Sequence, residues 1–248
     1  MRILKLHISL SLFILFSFQL FSQEIMNSGT GDEKGKEEEQ QNERPKYVVP
    51  EGRTRYLRIS FDPTRYVYPY IDGIARGGME ASIDTEVKGR YFPVFELGHE
   101  FVSLDQTNYN LNANGLFFRF GVDNNFLQYA DKDDRDMFFM GIRIAYSNFT
   151  QSADNIILNN TGTDVTFNFP DQNFHSVWGE LTVGVKTEIA KNLFLGWTVR
   201  GKRMIKTSSR DVTPYLVPGF GKYSNNVNVA ANIYLSYALP IKKGSVTE

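Results

Sequence analysis

The stretch "NGLFFRFGVDNNF", residues 114–126, alternates with a period of two. Leu116, Phe118, Phe120 and Val122 share one parity, and Phe117, Arg119, Gly121 and Asp123 share the other. Successive side chains of a strand point to opposite faces, so this segment has one face of large hydrophobes and one that mixes charge, glycine and an aromatic ring. Two architectures accommodate such a strand. In a soluble lipocalin-like barrel the hydrophobes point inward and the charges meet water. In a transmembrane barrel the hydrophobes meet lipid and the charges fill the lumen.

Seven further segments repeat the pattern. Leu57, Ile59 and Phe61 alternate with Arg58 and Ser60, and Ala81 and Ile83 with Glu80, Ser82 and Asp84. Phe95 and Leu97 alternate with Val94, Glu96, Gly98 and Glu100. Phe138, Met140, Ile142, Ile144 and Tyr146 oppose Gly141, Arg143, Ala145 and Ser147. Leu181, Val183 and Val185 oppose Glu180, Thr182, Gly184 and Lys186. Leu193, Leu195, Trp197 and Val199 oppose Gly196, Thr198 and Arg200. Last, every second residue from Val227 to Leu239 is apolar, against Asn228, Ala230, Asn232, Tyr234, Ser236 and Ala238.

The connections roughly alternate in length. Tight turns are expected at 88–91 and 188–192, and long loops at 62–76, 148–174 and 205–225. Short turns on one side and long loops on the other suit a small outer-membrane barrel. The connection at 124–136 departs from this, being long on the short side; a local helix or two strand extensions would account for it. The glycines Gly98, Gly121, Gly141, Gly184 and Gly196 lie on the charged parity, where a water-facing surface has little use for them. The apolar parity carries Tyr146, Trp197 and Tyr237, which suit headgroup girdles. The expected fold is therefore all-β: an eight-stranded antiparallel transmembrane β-barrel of the small outer-membrane type, preceded by a disordered tether.

Residues 1–23, "MRILKLHISLSLFILFSFQLFSQ", begin with Arg2 and Lys5, continue with a short apolar run and end in a small-residue context. They read as a signal peptide, with a membrane anchor helix as the alternative. Residues 24–53 are polar, lack apolar periodicity and read as a disordered linker, with a short acidic helix at Glu37, Glu38 and Glu39 as the alternative. The barrel is expected over 54–241, with a tail at 242–248. The 248-residue chain contains no cysteine, which excludes disulfides, thiolate metal sites, a cysteine nucleophile and a lipoprotein anchor. Its net charge of −1 gives no electrostatic case for nucleic acid.

The segments "GMEASIDTEVKGRYFPVFELGHE", "GLFFRFGVDNNF", "MFFMGIRIAYS", "VWGELTVGVKTEIAKNLFLGWTVRGK" and "TPYLVPGFGK" resemble an uncharacterised family of bacterial outer-membrane β-barrel proteins, domain of unknown function family 6048. The resemblance covers about residues 54 to 241. It implies a Gram-negative outer-membrane location and a small barrel, and it brings no activity or catalytic residue.

On the membrane-barrel reading Arg119 points inward, because facing lipid at mid-bilayer costs about 2–4 kcal/mol. The same parity gathers Arg58, Arg143, Lys186 and Arg200, and sets against them Glu80, Asp84, Glu96, Glu100 and Glu180. Eight strands leave an interior that side chains just fill, so these charges are expected to pair and close the lumen. Glu96 and Glu100 are about 13 Å apart along a strand, too far to work as a carboxylate pair. His99 and His175 fall on the apolar parity, away from the acids. No G-x-S-x-G or H-E-x-x-H motif stands in the chain, so no catalytic residue, cofactor or metal is expected. Lys202, Arg203, Lys206 and Arg210 form a possible extracellular anion patch, with a plain solvated loop stem as the alternative. Outer-membrane lipids are the expected partners, with lipopolysaccharide phosphates at that patch; no protein partner is indicated. The expected role is structural, adhesive or partner-docking and non-enzymatic. The alternatives are a small-molecule or lipid-binding barrel lined by Phe117, Phe194, Trp178 and Tyr234, and a lipid-modifying enzyme with a His turned inward by a β-bulge.

Overall fold

The period-two segments all form strands in the structure, a computed structural model that describes residues 47–66, 75–106, 109–160, 163–208, 213–224 and 226–243. The strands are β1 (Thr54–Phe61), β2 (Ala75–Thr85), β3 (Tyr91–Gln106), β4 (Tyr109–Asn125), β5 (Met137–Asn160), β6 (Thr163–Ala190), β7 (Leu193–Thr207), β8 (Leu216–Val217), β9 (Gly221–Lys222) and β10 (Val227–Lys243). Eight of them close into a barrel in the order β1-β10-β7-β6-β5-β4-β3-β2, while β8 and β9 make a separate hairpin. Every barrel pairing is antiparallel, and β1 closes the ring on β10 through Leu57↔Leu239 and Phe61↔Leu235. The expected signal peptide, the linker as far as residue 46 and the tail from residue 244 lie outside the described residues.

The apolar parity faces out and the charged parity faces in. Leu181, Val229 and Ile142 are 64–68% exposed, whereas Arg119, Glu80 and Phe117 are fully buried. Register follows from this pattern, since a slip of one residue would turn every charge to the outside. Inward glycines make room for the larger side chains beside them. A Cβ on Gly98 would lie 2.1 Å from the Phe117 ring, and one on Gly141 would lie 2.0 Å from Asp123 Oδ1.

Three connections differ from expectation. The region 148–174 is not a loop: β5 and β6 run on and pair as far as Asn160↔Thr163, with register shifts after Gln151 and Ala153. Its Asn, Asp and Thr residues signal a turn by composition, yet each strand supplies the other with a ladder partner. The connection after Asn125 is neither a helix nor a strand extension. Aspartate side chains fold it: Asp131 Oδ1 accepts from the backbone N–H groups of Asp133 and Asp134 at 2.7 and 2.8 Å, and Asp134 Oδ2 from that of Ala130 at 2.9 Å. The third difference is the 205–225 region, which carries the β8–β9 hairpin into the barrel mouth.

Residues 47–53, grouped with the linker by composition, pack against the end of the barrel that bears the tight turns. Buried Arg53 bonds Glu86 at 3.1 Å and stacks 3.5 Å over the Tyr129 ring, while Tyr47 and Tyr129 both donate to the Gly89 carbonyl. Burial pushes the Tyr129 hydroxyl above its usual range.

Candidate functional site

The lumen holds the densest chemistry in the molecule, and alternate residues of the barrel strands build it. Arg119 on β4 is its centre. Its Nε donates to Glu180 Oε1 at 2.9 Å, and its Nη1 donates to Glu80 Oε1 and Glu96 Oε2 at 2.8 and 2.9 Å. Arg200 on β7 donates to Glu96 Oε2 at 2.8 Å, to Glu180 Oε2 at 3.0 Å and to the Tyr234 hydroxyl. Arg143 reaches Asp123 Oδ1 at 2.7 Å and Glu96 Oε1 at 3.3 Å. Trp178 Nε1 donates to Glu180 Oε1 at 2.7 Å, and the Tyr234 hydroxyl donates to Glu80 Oε1 at 2.9 Å. Each of these carboxylates is thus bonded by at least one guanidinium, as a buried charge network requires, while Arg200 Nε is buried without a hydrogen-bond partner among the described residues.

A second group lies toward the tight-turn end. Asp84 accepts from Arg58 Nε at 2.7 Å and from Lys186 Nζ at 2.6 Å. Arg58 also donates to Met137 Sδ at 3.0 Å and lies 4.8 Å over the Phe92 ring. The strand order gives these bonds their meaning. Strands β7 and β3 are diametrically opposite in the ring, and so are β6 and β2. Arg200–Glu96 and Lys186–Asp84 therefore cross the whole lumen.

The β8–β9 hairpin caps the network from the long-loop end. Gly219 N donates to Glu100 Oε2 at 2.8 Å, while its carbonyl accepts from Arg119 Nη2 at 3.0 Å and Lys202 Nζ at 2.7 Å. Gly219 has φ +79°, and a Cβ there would lie 2.5 Å from the Phe117 ring, so glycine is required on both counts. Val217 and Phe220 join Phe117, Phe149, Phe174 and Trp178 in one buried cluster. Of the aromatic residues considered as a cavity lining, Phe117 and Trp178 are thus covered by the hairpin. Phe194 and Tyr234 are buried lower down, beside Arg58 and Arg200.

Arg58, Glu80, Asp84, Glu96, Glu100, Arg119, Arg143, Glu180, Lys186 and Arg200 are all buried in the lumen. Glu100 stands apart from the central group and bonds Arg76 at 2.6 Å. Asp123 belongs to the network without being in the expected set; its place on the Arg119 parity of the opening stretch is the signal that points to it. The basic patch requires a correction. Lys202 is 5% exposed and points into the lumen, because it shares the parity of Arg200. Arg203 and Lys206 are exposed, and Arg210 lies outside the described residues. His99 bonds Asn114, and His175 bonds the Tyr146 hydroxyl, both at 2.7 Å on the outer face and away from every lumen carboxylate.

Residues 3–244 match the family described as Domain of unknown function (DUF6048). The chain belongs to that family. No curated protein matches it. Among solved structures, a major outer membrane protein from Thermus thermophilus is similar over 75% of this chain and 98% of its own, at 10% identity and a TM-score of 0.41. For this DUF6048 chain, the charge-filled lumen and the apolar outer wall are what a function must explain.

Proposed function

We propose that this chain is a non-enzymatic barrel spanning the bacterial outer membrane, with a closed lumen, that displays its long-loop end to a partner. The outward belt of large hydrophobes carries the reading. On β3, Tyr91, Phe95, Leu97 and Phe101 are each at least 41% exposed. The ten residue steps from Tyr91 to Phe101 cover about 33 Å at the usual strand rise. At a tilt of about 40° they span roughly 25 Å, the height of the apolar band of outer-membrane barrels. Soluble monomers rarely expose apolar patches beyond a few hundred Å². A bilayer is the solvent that such a wall and such an interior fit together.

The long β5–β6 ribbon supports a docking role. Beyond Asp154 and before His175, which bonds Ser208, these strands pair only with each other among the described residues. Their free edges offer backbone donors and acceptors to an added strand. With the N-terminus in the periplasm, the ribbon stands outside the cell.

Cell fractionation followed by reconstitution tests the reading. The protein should sediment with outer membranes, migrate anomalously on gels until heated, and conduct no steady current in a planar bilayer. Recovery as a monodisperse soluble protein without detergent would rule the membrane barrel out.

A further inference from the structure

Two outward glycines leave open gaps in the apolar wall. Gly179 on β6 and Gly201 on β7 lie diagonally beside each other, through the pairs Gly179↔Arg203 and Leu181↔Gly201. The inward glycines are forced by their neighbours, but these two are not. A Cβ on Gly201 would meet nothing within 4 Å, and one on Gly179 would meet only a backbone oxygen at 4.0 Å. They form the floor of an open groove of about 670 Å³, walled by Leu181, Ile205 and Val227 and edged by Arg203. That volume lies in the range of ligand sites, roughly 300–1,000 Å³.

Charge decides the occupant. Arg203 lines the groove, exposed Lys206 lies just beyond it across from Val177 of β6, and neither makes an ion pair among the described residues. Both stand in the last rungs of the ladder before β7 ends at Thr207, on the long-loop side, which is headgroup depth if the barrel spans the membrane. A second copy packed here about a two-fold axis would bring Arg203 close to its own symmetry mate, so like charges oppose that partner. An anion with an apolar tail satisfies both features: phosphate oxygens accept charge-assisted hydrogen bonds from the two bases, and an acyl chain fills the groove.

We infer that the groove over Gly179 and Gly201 binds the phosphorylated, acylated lipid of the outer leaflet, lipid A. Its phosphate rests on Arg203 and Lys206, and one acyl chain lies against the bare backbone between Leu181 and Ile205. The inference rests on the membrane-barrel reading.

Native mass spectrometry of the full chain released from micelles, with lipid A or phosphatidylcholine added, tests it. The wild type should retain one lipid A in preference to phosphatidylcholine. Arg203→Gln with Lys206→Gln should cut that retention about ten-fold, a loss on the scale of one to two charge-assisted contacts. Gly201→Leu should cut it as well by filling the groove, and the open space at that position lets the variant fold. Heat-shifted gel migration and insertion into phosphatidylcholine vesicles are measured on the same preparations. Equal retention of both lipids, or retention unchanged in both variants of an inserted barrel, overturns the groove alone. A dimer mass abolished by Gly201→Leu overturns it in favour of a second copy. Failure of the wild type to insert overturns the membrane reading, and this inference with it.

Discussion

Arg119 directs its N–H groups to carboxylates from three strands and to one hairpin carbonyl, so its removal strands more than one charge. Replacing a buried ion pair by apolar groups is often neutral, but removing one partner typically costs about 3–5 kcal/mol. Arg119→Met should therefore lower the urea stability of the folded barrel by about that amount. Adding Glu180→Gln should restore part of the loss, because the acid whose Oε1 faced Arg119 Nε no longer carries charge there. Exposed Arg203→Gln should stay within about 0.5 kcal/mol of wild type. Equal losses for Arg119→Met and Arg203→Gln would refute the sealed network as a source of stability. Gly98 tests packing in the same lumen. Its Cβ would sit 2.1 Å from the Phe117 ring, so Gly98→Ala should cost about 1–3 kcal/mol, and Phe117→Leu should relieve it.

Two layers close the lumen, the β8–β9 hairpin and the ion pairs beneath it, and they make different predictions. Unseating the hairpin with Gly219→Val should leave planar-bilayer conductance near the wild-type baseline, because Arg200–Glu96 and Lys186–Asp84 still cross the lumen. Combining Gly219→Val with Arg200→Ala should admit steady current. A conducting Gly219→Val variant would assign the seal to the hairpin alone. The hairpin was also the element least legible in the sequence. "TPYLVPGFGK" has the Pro and Gly content of a surface loop, and only tertiary partners (Phe117 under Gly219, Lys202 on its carbonyl) draw it inward. The eight barrel strands were legible because period two is a local property of each segment. The inward parity was legible for the same reason, and it places Lys202 with Arg200 once the strand is carried two residues further. The choice of partner was legible only in part. Glu96 lies directly across from Arg119 on the neighbouring strand, and the two do bond. Arg143, however, lies across from Glu180 and instead bonds Asp123 and Glu96, while Arg200 reaches across the barrel. Such choices depend on how the strands stagger around the ring, which no single segment encodes.

At the scale of the whole molecule, the inside and outside of the barrel are reversed relative to a soluble protein, and the solvent must match the wall. Phe118, Ile142 and Ile233 are each at least 43% exposed, and they sit on β4, β5 and β10. Phe118 pairs with Leu97 and Tyr146, Ile142 with Val122 and Leu181, and Ile233 with Trp197, so each lies within the apolar belt rather than at its edge. An Arg facing lipid near the midplane costs about 2–4 kcal/mol, falling to about 0–1 near the interfaces. Phe118→Arg, Ile142→Arg and Ile233→Arg should each reduce refolding into phospholipid vesicles by an amount of that order. Ile233→Arg combined with either of the others should nearly abolish it, since distant sites add. Arg at Val227, at the long-loop end of the belt, should cost far less, which makes the penalty depend on depth as well as on facing. In water the argument reverses sign: on a solvated wall an added Arg raises solubility and leaves the fold intact. Proteinase protection after mixing with vesicles reads the result. Normal, protected insertion of all three central variants would show that the wall does not meet lipid, and the soluble barrel would then be the correct account of residues 114–126.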